Sequence, residues 1–220
     1  MSETPPAGLP ETPQGTRSGS KPERIVLASN NPGKVREIDQ LLAGAGMHVE
    51  PQHRFGVGAV EETGLTFVEN AILKARHAAA GSGLPAIADD SGIEVDALDG
   101  APGIYSARYA GPGADDTANN EKLLAELAGV PSAERTARYR CVMVYLRHPQ
   151  DPTPLVCIGT WEGRILHEPR GSNGFGYDPL FFVPTHDCSA AELDPDSKNA
   201  LSHRGQALRE LVARLTGGRA

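Results

Sequence analysis

The sequence predicts an α/β fold built on a mixed β-sheet, and three observations carry that expectation. Short apolar runs bounded by turn-forming residues recur along the chain, as buried strands do. Between them, apolar residues return at helical spacing. In the second half two long strand-like runs follow one another as a hairpin would, which adds antiparallel strands to the mixture. These signals begin at Arg24, and neither an internal repeat nor a domain boundary is visible from there to Ala220.

Residues 1–23 hold five prolines and a single large aliphatic residue, Leu9. Such a segment buries too little apolar area to offset its ordering entropy, so it reads as a disordered tail with no catalytic role. Order is expected at Arg24-Ile25-Val26-Leu27-Ala28, a β-branched apolar run closed by Ser29-Asn30-Asn31-Pro32-Gly33. Val35, Ile38, Leu41 and Leu42 then fit one face of a helix. A second helix fits Thr66 to Ala80. Leu84-Pro85-Ala86-Ile87-Ala88 reads as a buried strand that ends at Asp89-Asp90-Ser91-Gly92. Asn119 to Leu127 predicts a helix with three leucines inward. Arg138 to Leu146 and Leu155 to Ile165 predict strands, and Ser202 to Leu215 a last helix.

Composition narrows the function. The net charge of -7 argues against a broad grip on nucleic acid, which needs a basic face. A small anionic ligand remains open, since a few local cations suffice for it. The three cysteines are odd in number and lack zinc-like spacing, as expected of reduced thiols. No apolar run reaches the length of a membrane span and no signal-peptide core is present, so no membrane partner and a cytoplasmic location are expected.

Five segments could carry chemistry. Ser29-Asn30-Asn31-Pro32-Gly33-Lys34 lies at a strand-to-helix junction, where free N–H groups and a lysine suit phosphate; alone, it reads more readily as an ordinary turn capped by Asn30 or Asn31. Asp89-Asp90-Ser91-Gly92 puts two carboxylates at an expected strand end, a place for a cation such as Mg²⁺ with phosphate or for a turn cap. Glu61-Glu62-Thr63-Gly64 leads into the helix of Glu69, Asn70 and Lys74. Either glutamate could complete a metal shell, or simply favour the helix start. In Ser172 to Pro179, Gly174 and Gly176 flank Phe175, a possible stacking platform for a base, and Asp178 could read a ring N–H; a bulged hairpin with Phe175 inward fits equally. Finally, Ser197-Lys198-Asn199 precedes Ser202-His203-Arg204-Gly205. Cations in the first turn of the last helix oppose its dipole and hint at a compensating ligand.

Together these stretches resemble the inosine triphosphate pyrophosphatase family, also called the Ham1 family, in its bacterial dITP/XTP pyrophosphatase branch. IVLASNNPGKVREI, EETGLTFVENAILKARHAA, AIADDSGIEVDALDGAPGIYSARYAG, GFGYDPLFFVP and KNALSHRGQAL carry the resemblance, in the family's order and across nearly the whole chain from Arg24. The resemblance implies one catalytic domain over 24–220, with an elongated mixed sheet, flanking helices in two lobes and a central substrate cleft. It implies a homodimer that uses Mg²⁺ (magnesium) to cleave abnormal purine nucleoside triphosphates, ITP, dITP and XTP, to the monophosphate and pyrophosphate. Carried over by residue, Ser29, Asn30, Asn31, Pro32, Gly33 and Lys34 would bind the triphosphate. Asp90 would be general base and metal ligand, beside Ser91 on the substrate. Glu61 or Glu62 would assist the metal, with Glu61 the first choice. Phe175, Gly176, Tyr177, Asp178, Lys198, His203 and Arg204 would form the base pocket. Three other readings compete: a Maf-like pyrophosphatase of different base preference, a nucleotide-binding protein without catalysis, and an interaction module in the N-terminal tail.

Overall fold

The computed structural model describes residues 24–44 and 46–217. The expected tail, residues 1–23, lies outside the described residues. The first strand, β1 (Arg24–Leu27), is followed by α1 (Pro32–Ala43), β2 (His48–Pro51), α2 (Phe67–Ser82) and β3 (Ala86–Val95). Then come α3 (Asp116–Glu126), β4 (Thr136–Leu146), β5 (Leu155–Ile165), β6 (Phe181–Val183), β7 (Cys188–Ser189), α4 (Pro195–Leu201) and α5 (His203–Leu215). The strands form one sheet in the order β2-β1-β3-β4-β5-β6-β7. β1 runs parallel to β2 and β3, and every pair from β3 to β7 is antiparallel. The α/β class with a mixed sheet is therefore what the chain adopts.

Residue alternation decides what each face buries. Ile25 and Leu27 of β1 join Ile38 and Leu42 of α1 and Leu208 and Leu211 of α5. Val26, one residue out of phase, joins Ala71, Ala75 and Ala78 of α2 and Val142 and Val144 of β4. Both faces of this end of the sheet are thus covered, which is why β1 is apolar throughout rather than alternating. A third cluster sits at the other end of the long strands, where Ile93, Val95, Tyr139, Trp161 and Phe181 pack with Leu123 of α3. β3, β4 and β5 run through both ends and tie the two lobes together.

The helix starts follow their side chains. Asn31 accepts from the backbone N–H groups of Gly33 and Lys34, and Pro32 supplies the first helical φ of α1. Thr66 caps α2 by accepting from Glu69 N, while the Glu69 carboxylate reaches back to Leu65 N at 2.9 Å. Ser202 caps α5 through Gly205 N.

The expected end of one strand is wrong, and the error matters. The strand anticipated to stop at Asp89 continues to Val95, so Asp89 and Asp90 lie in mid-strand. Asp, Ser and Gly are poor strand formers on propensity. Ten consecutive pairs with β4, from Ala86↔Leu146 to Val95↔Ala137, override that preference. What does stop is β1, which pairs with β3 only at Val26↔Ala86 and Leu27↔Ile87. The third helix also starts earlier than expected, at Asp116, with Asp115 as its cap. The short β2, β6, β7 and α4 were not anticipated.

α5 lies flush on β5, because Gly159 has no side chain. A Cβ there would run into the carbonyl of His203. Gly159→Ala should therefore lower unfolding free energy by about 1–3 kcal/mol, as overpacking does. Chemical denaturation of the two proteins measures this; an unchanged midpoint would show that α5 is free to shift.

Candidate active site

Beyond Leu27 the outer edge of β3 no longer faces a strand. It faces the loop that carries Ser29 to Gly33. Ser29 is buried there, and its hydroxyl accepts from Asn31 N at 3.2 Å. Strand alternation then sends the two aspartates of β3 to opposite faces of the sheet.

On the α1/α5 side, Asp89 is 2 % exposed and pairs with Lys34 at 2.8 Å and Arg204 at 3.5 Å. Ser91, two residues on, joins the same cluster. Its hydroxyl accepts from Lys34 Nζ at 3.3 Å and Arg204 Nη2 at 3.2 Å, and donates to Asp89 Oδ2 at 3.2 Å. Burial alone would raise the Asp89 pKa. The charges of Lys34, Arg204 and Lys74 outweigh it and hold the carboxyl well below the usual range. Arg204 also donates to Glu37 of α1 at 2.9 Å. The cation at the start of α5, expected to need an outside anion, is thus answered within the protein by Glu37 and Asp89.

On the α2 side, Asp90 accepts from Lys74 Nζ at 2.7 Å, and the same ammonium donates to Glu62 at 2.9 Å. Glu62 is also met by Arg108 at 3.3 Å. Burial pushes the Asp90 pKa up, Lys74 pulls it back, and the carboxylates of Glu62 and Asp89 add to the rise; the net shift is upward. Its second oxygen, Oδ2, is buried without a hydrogen-bond partner. Of the two glutamates, Glu62 is the one brought to Asp90. Glu61, the first choice for a metal ligand, is exposed. The segment is fixed by Asn70, whose carbonyl oxygen accepts from Gly64 N at 2.8 Å.

The glycine-rich loop closes the other side of the cleft. Gly174 and Gly176 have φ of 79° and 63°, which favours glycine at both. Between them Phe175 stands with Lys198 Nζ 4.9 Å and the Arg204 guanidinium 5.6 Å from its ring centre. Asp178 is buried. Its Oδ2 accepts from Lys198 Nζ at 2.6 Å and Phe175 N at 2.9 Å, and its Oδ1 from the Tyr139 hydroxyl at 3.2 Å. Asp178 thereby shapes the loop, a task the sequence did not show. Tyr177 turns inward, and its hydroxyl donates to Ser106 O at 2.7 Å. His203 stacks on Tyr139 with ring centres 4.6 Å apart. Burial, then the charges of Arg204 and Lys198, push its pKa well below the ordinary value, so the ring is neutral. Its Nδ1 is buried without a hydrogen-bond partner, as is Arg204 Nε.

One cavity joins these parts. Asn31, Lys34, Ser91, Phe175, Gly176, Tyr177, Asp178, Lys198, His203 and Arg204 all line it. Ser29, Asn30, Pro32 and Gly33 stand behind or beside it, and Asp90 lies on the other face of β3. Sequence reasoning missed Glu37, Arg108, Asp116, Asn120 and Tyr139, and it named Lys74 without giving it a task. The position of Lys74 on the helix after Glu61-Glu62 was the available signal. The others are joined to the site only by tertiary contacts.

Among the described residues no cluster of three or more His, Cys, Asp or Glu side chains is arranged to hold a metal. Magnesium needs less from a protein, typically one or two carboxylates with the rest from water and phosphate. Glu62 and Asp90 are hard oxygen donors, and the free Asp90 Oδ2 is an acceptor waiting for a partner. The residues fit such an ion.

Fold and site define an α/β protein with two mid-strand carboxylates beside a cation-lined, aromatic-walled cleft. The chain belongs to the Ham1 family, whose model matches residues 25–214. It is 65% identical over 194 residues to a dITP/XTP pyrophosphatase of Thioalkalivibrio sulfidiphilus, covering 88% of this chain and 99% of that protein. It is 59% identical to a dITP/XTP pyrophosphatase of Escherichia coli O157:H7, covering 89% and 100%. Its fold is similar to that of a HAM1 protein from Coxiella burnetii, with a TM-score of 0.83, 53% identity, and coverage of 88% and 98%.

The neutral His203 has a consequence for stability. Its folded pKa is depressed, so below the unfolded value of about 6.5 the unfolded chain binds the proton and the native one does not. Its contribution is therefore complete above that pH and is lost as pH falls through the window beneath it, by at most about 1.4 kcal/mol per unit. His203→Asn should flatten the decline in melting temperature between pH 7.5 and 5.5. Parallel declines in the two proteins would assign the pH dependence to other groups.

Proposed function

We propose that this protein is a nucleoside triphosphate pyrophosphohydrolase that converts ITP, dITP and XTP to the monophosphate and pyrophosphate, and so clears abnormal purines from the nucleotide pool. The observation that carries this reading is the division of labour on β3. Asp89 and Ser91 organise two cations toward the cleft, while Asp90 presents an unpartnered buried oxygen on the other face. The dITP/XTP pyrophosphatases that match nearly the full length of this chain support it.

Lys34, with the N–H groups at the start of α1, binds the phosphates and carries the charge that develops on leaving pyrophosphate. Asp90 orients a water molecule toward the α-phosphorus and takes its proton. Its raised pKa makes it a better base than an exposed carboxylate, and positioning supplies much of the rest. Glu62 and Asp90 would hold Mg²⁺, which when bound screens phosphate charge. Lys74, between these carboxylates, keeps both oriented.

Phe175 stacks on the purine. Hypoxanthine and xanthine present an acceptor at O6, and His203 and Arg204 each carry a buried nitrogen without a partner in the protein. Adenine offers an amino group at that position, leaving a donor unpaired at a cost of about 1–3 kcal/mol. We further propose that the protein works as a homodimer in the cytoplasm, on free nucleotides and without nucleic acid.

Pyrophosphate release with Mg²⁺ from ITP, XTP, dITP, ATP and GTP tests the reading. Release from the first three alone is expected; equal release from all five would sink the base pocket, and none would leave a binding protein. Asp90→Asn should lower turnover at least about 100-fold with the fold intact by circular dichroism. Glu62→Gln should impair turnover far more than Glu61→Gln, and the reverse order would make Glu61 the metal ligand.

A further inference from the structure

Helix α3 takes no part in the functions assigned so far, yet its first two turns grip the base loop. The backbone N–H of Gly176 donates to Asp116 Oδ2 at 2.6 Å. The carbonyl of the same residue accepts from Asn120 Nδ2 at 2.9 Å. Residues four apart lie on one helix face, so one helix holds both polar backbone groups of one glycine. The other side of Phe175 is held by Asp178, through Phe175 N at 2.9 Å. The ring thus stands between two peptides fixed by side chains.

Gly176 needs that grip. Its φ of 63° lies where glycine is free to move to other conformations, and it has no side chain of its own to anchor it. α3 is itself well anchored. Leu123 is buried in the distal core, and Asn119 accepts from Ala110 N at 2.8 Å. Lys34 on α1 and Arg204 on α5 belong to helices that pack in the opposite lobe. The position of Phe175 relative to those cations therefore depends on α3.

We propose that Asp116 and Asn120 are positioning residues which, through Gly176, set where Phe175 meets the purine and hence the affinity and selectivity for the base. The inference rests on the reading of the loop as the base platform. Neither residue reacts, and their effect should fall on KM and discrimination rather than on turnover.

The test uses the full chain with Asn120→Ala and Asp116→Ala, each alone and combined with Phe175→Ala. In otherwise wild-type protein, each should raise KM for ITP by about ten-fold, the size of one lost positioning hydrogen bond, with little change in kcat. The ratio of ITP to ATP hydrolysis should fall. In the Phe175→Ala background the same changes should add little, because the group they position is gone. Hydrogen exchange of the 172–180 segment in the free protein should be faster in both variants, whatever the substrate. Unchanged exchange would overturn the grip itself. Faster exchange with unaltered KM and ITP/ATP ratio, or effects fully additive with Phe175→Ala, would reduce α3 to a structural support. A wild-type chain that does not hydrolyse ITP would instead overturn the base-platform reading on which the inference stands.

Discussion

A buried carboxylate in the middle of a β-strand cannot stand alone, and Asp89 is the point around which this site is organised. Removing one partner from such a pair is typically worth about 3–5 kcal/mol, because the remaining charge is left without compensation. Lys34 comes to Asp89 from the first turn of α1, and Arg204 from the first turn of α5. Two helix N-termini, each unfavourable for a cation, are thereby drawn to one anion. Glu37 and Ser91 complete the network. The cations are preoriented before any ligand arrives, and the geometry is set by the packing of two helices on one sheet face.

The second constraint is the uneven length of the strands. β1 stops at Leu27 while β3 proceeds to Val95 in the ladder with β4. The step between them exposes an edge of β3 from which side chains reach both faces. Asp89 and Asp90 are neighbours in sequence, but one is fixed by Lys34 and the other by Lys74. Their environments separate their titration in opposite directions, down for Asp89 and up for Asp90. One holds permanent charge and the other is suited to accept a proton, as functional carboxylate pairs require.

Much of this was legible before the structure. β1, α1, α2, β4, β5 and α5 follow from apolar spacing and from caps such as Asn31 and Ser202. The residues of the cleft wall, Asn31 and Lys34 and the run from Phe175 to Asp178, were marked by glycine and charge at expected turns. The course of β3 was not legible, because Asp89-Asp90-Ser91-Gly92 carries the composition of a turn and only its partner strand makes it extended. Nor could the sequence decide between Glu61 and Glu62, since adjacent residues share every local signal and differ only in which one meets Lys74. Asp116 and Asn120 were invisible for the same reason: their partner, Gly176, is some 60 positions away along the chain.

The distribution of unsatisfied groups gives the site a physical signature of its own. Folded proteins pair nearly all buried polar atoms, because an unpaired one costs about 1–3 kcal/mol. Among the described residues, the buried side-chain atoms without partners are on Asn70, Asp90, Asn120, His203 and Arg204. Asn70 holds the segment beside Glu62, and Asn120 holds the glycine-rich loop at Gly176; the other three are the candidate base and two cleft residues. The distal core shows that this chain can satisfy a buried charge thoroughly, since the Arg135 guanidinium donates to three backbone carbonyls there. The deficits therefore do not reflect a loosely built protein. Three of the five sit on Asp90 and on His203 and Arg204 of the cleft wall, and the rest of the fold supplies the stability that lets them remain unpaired.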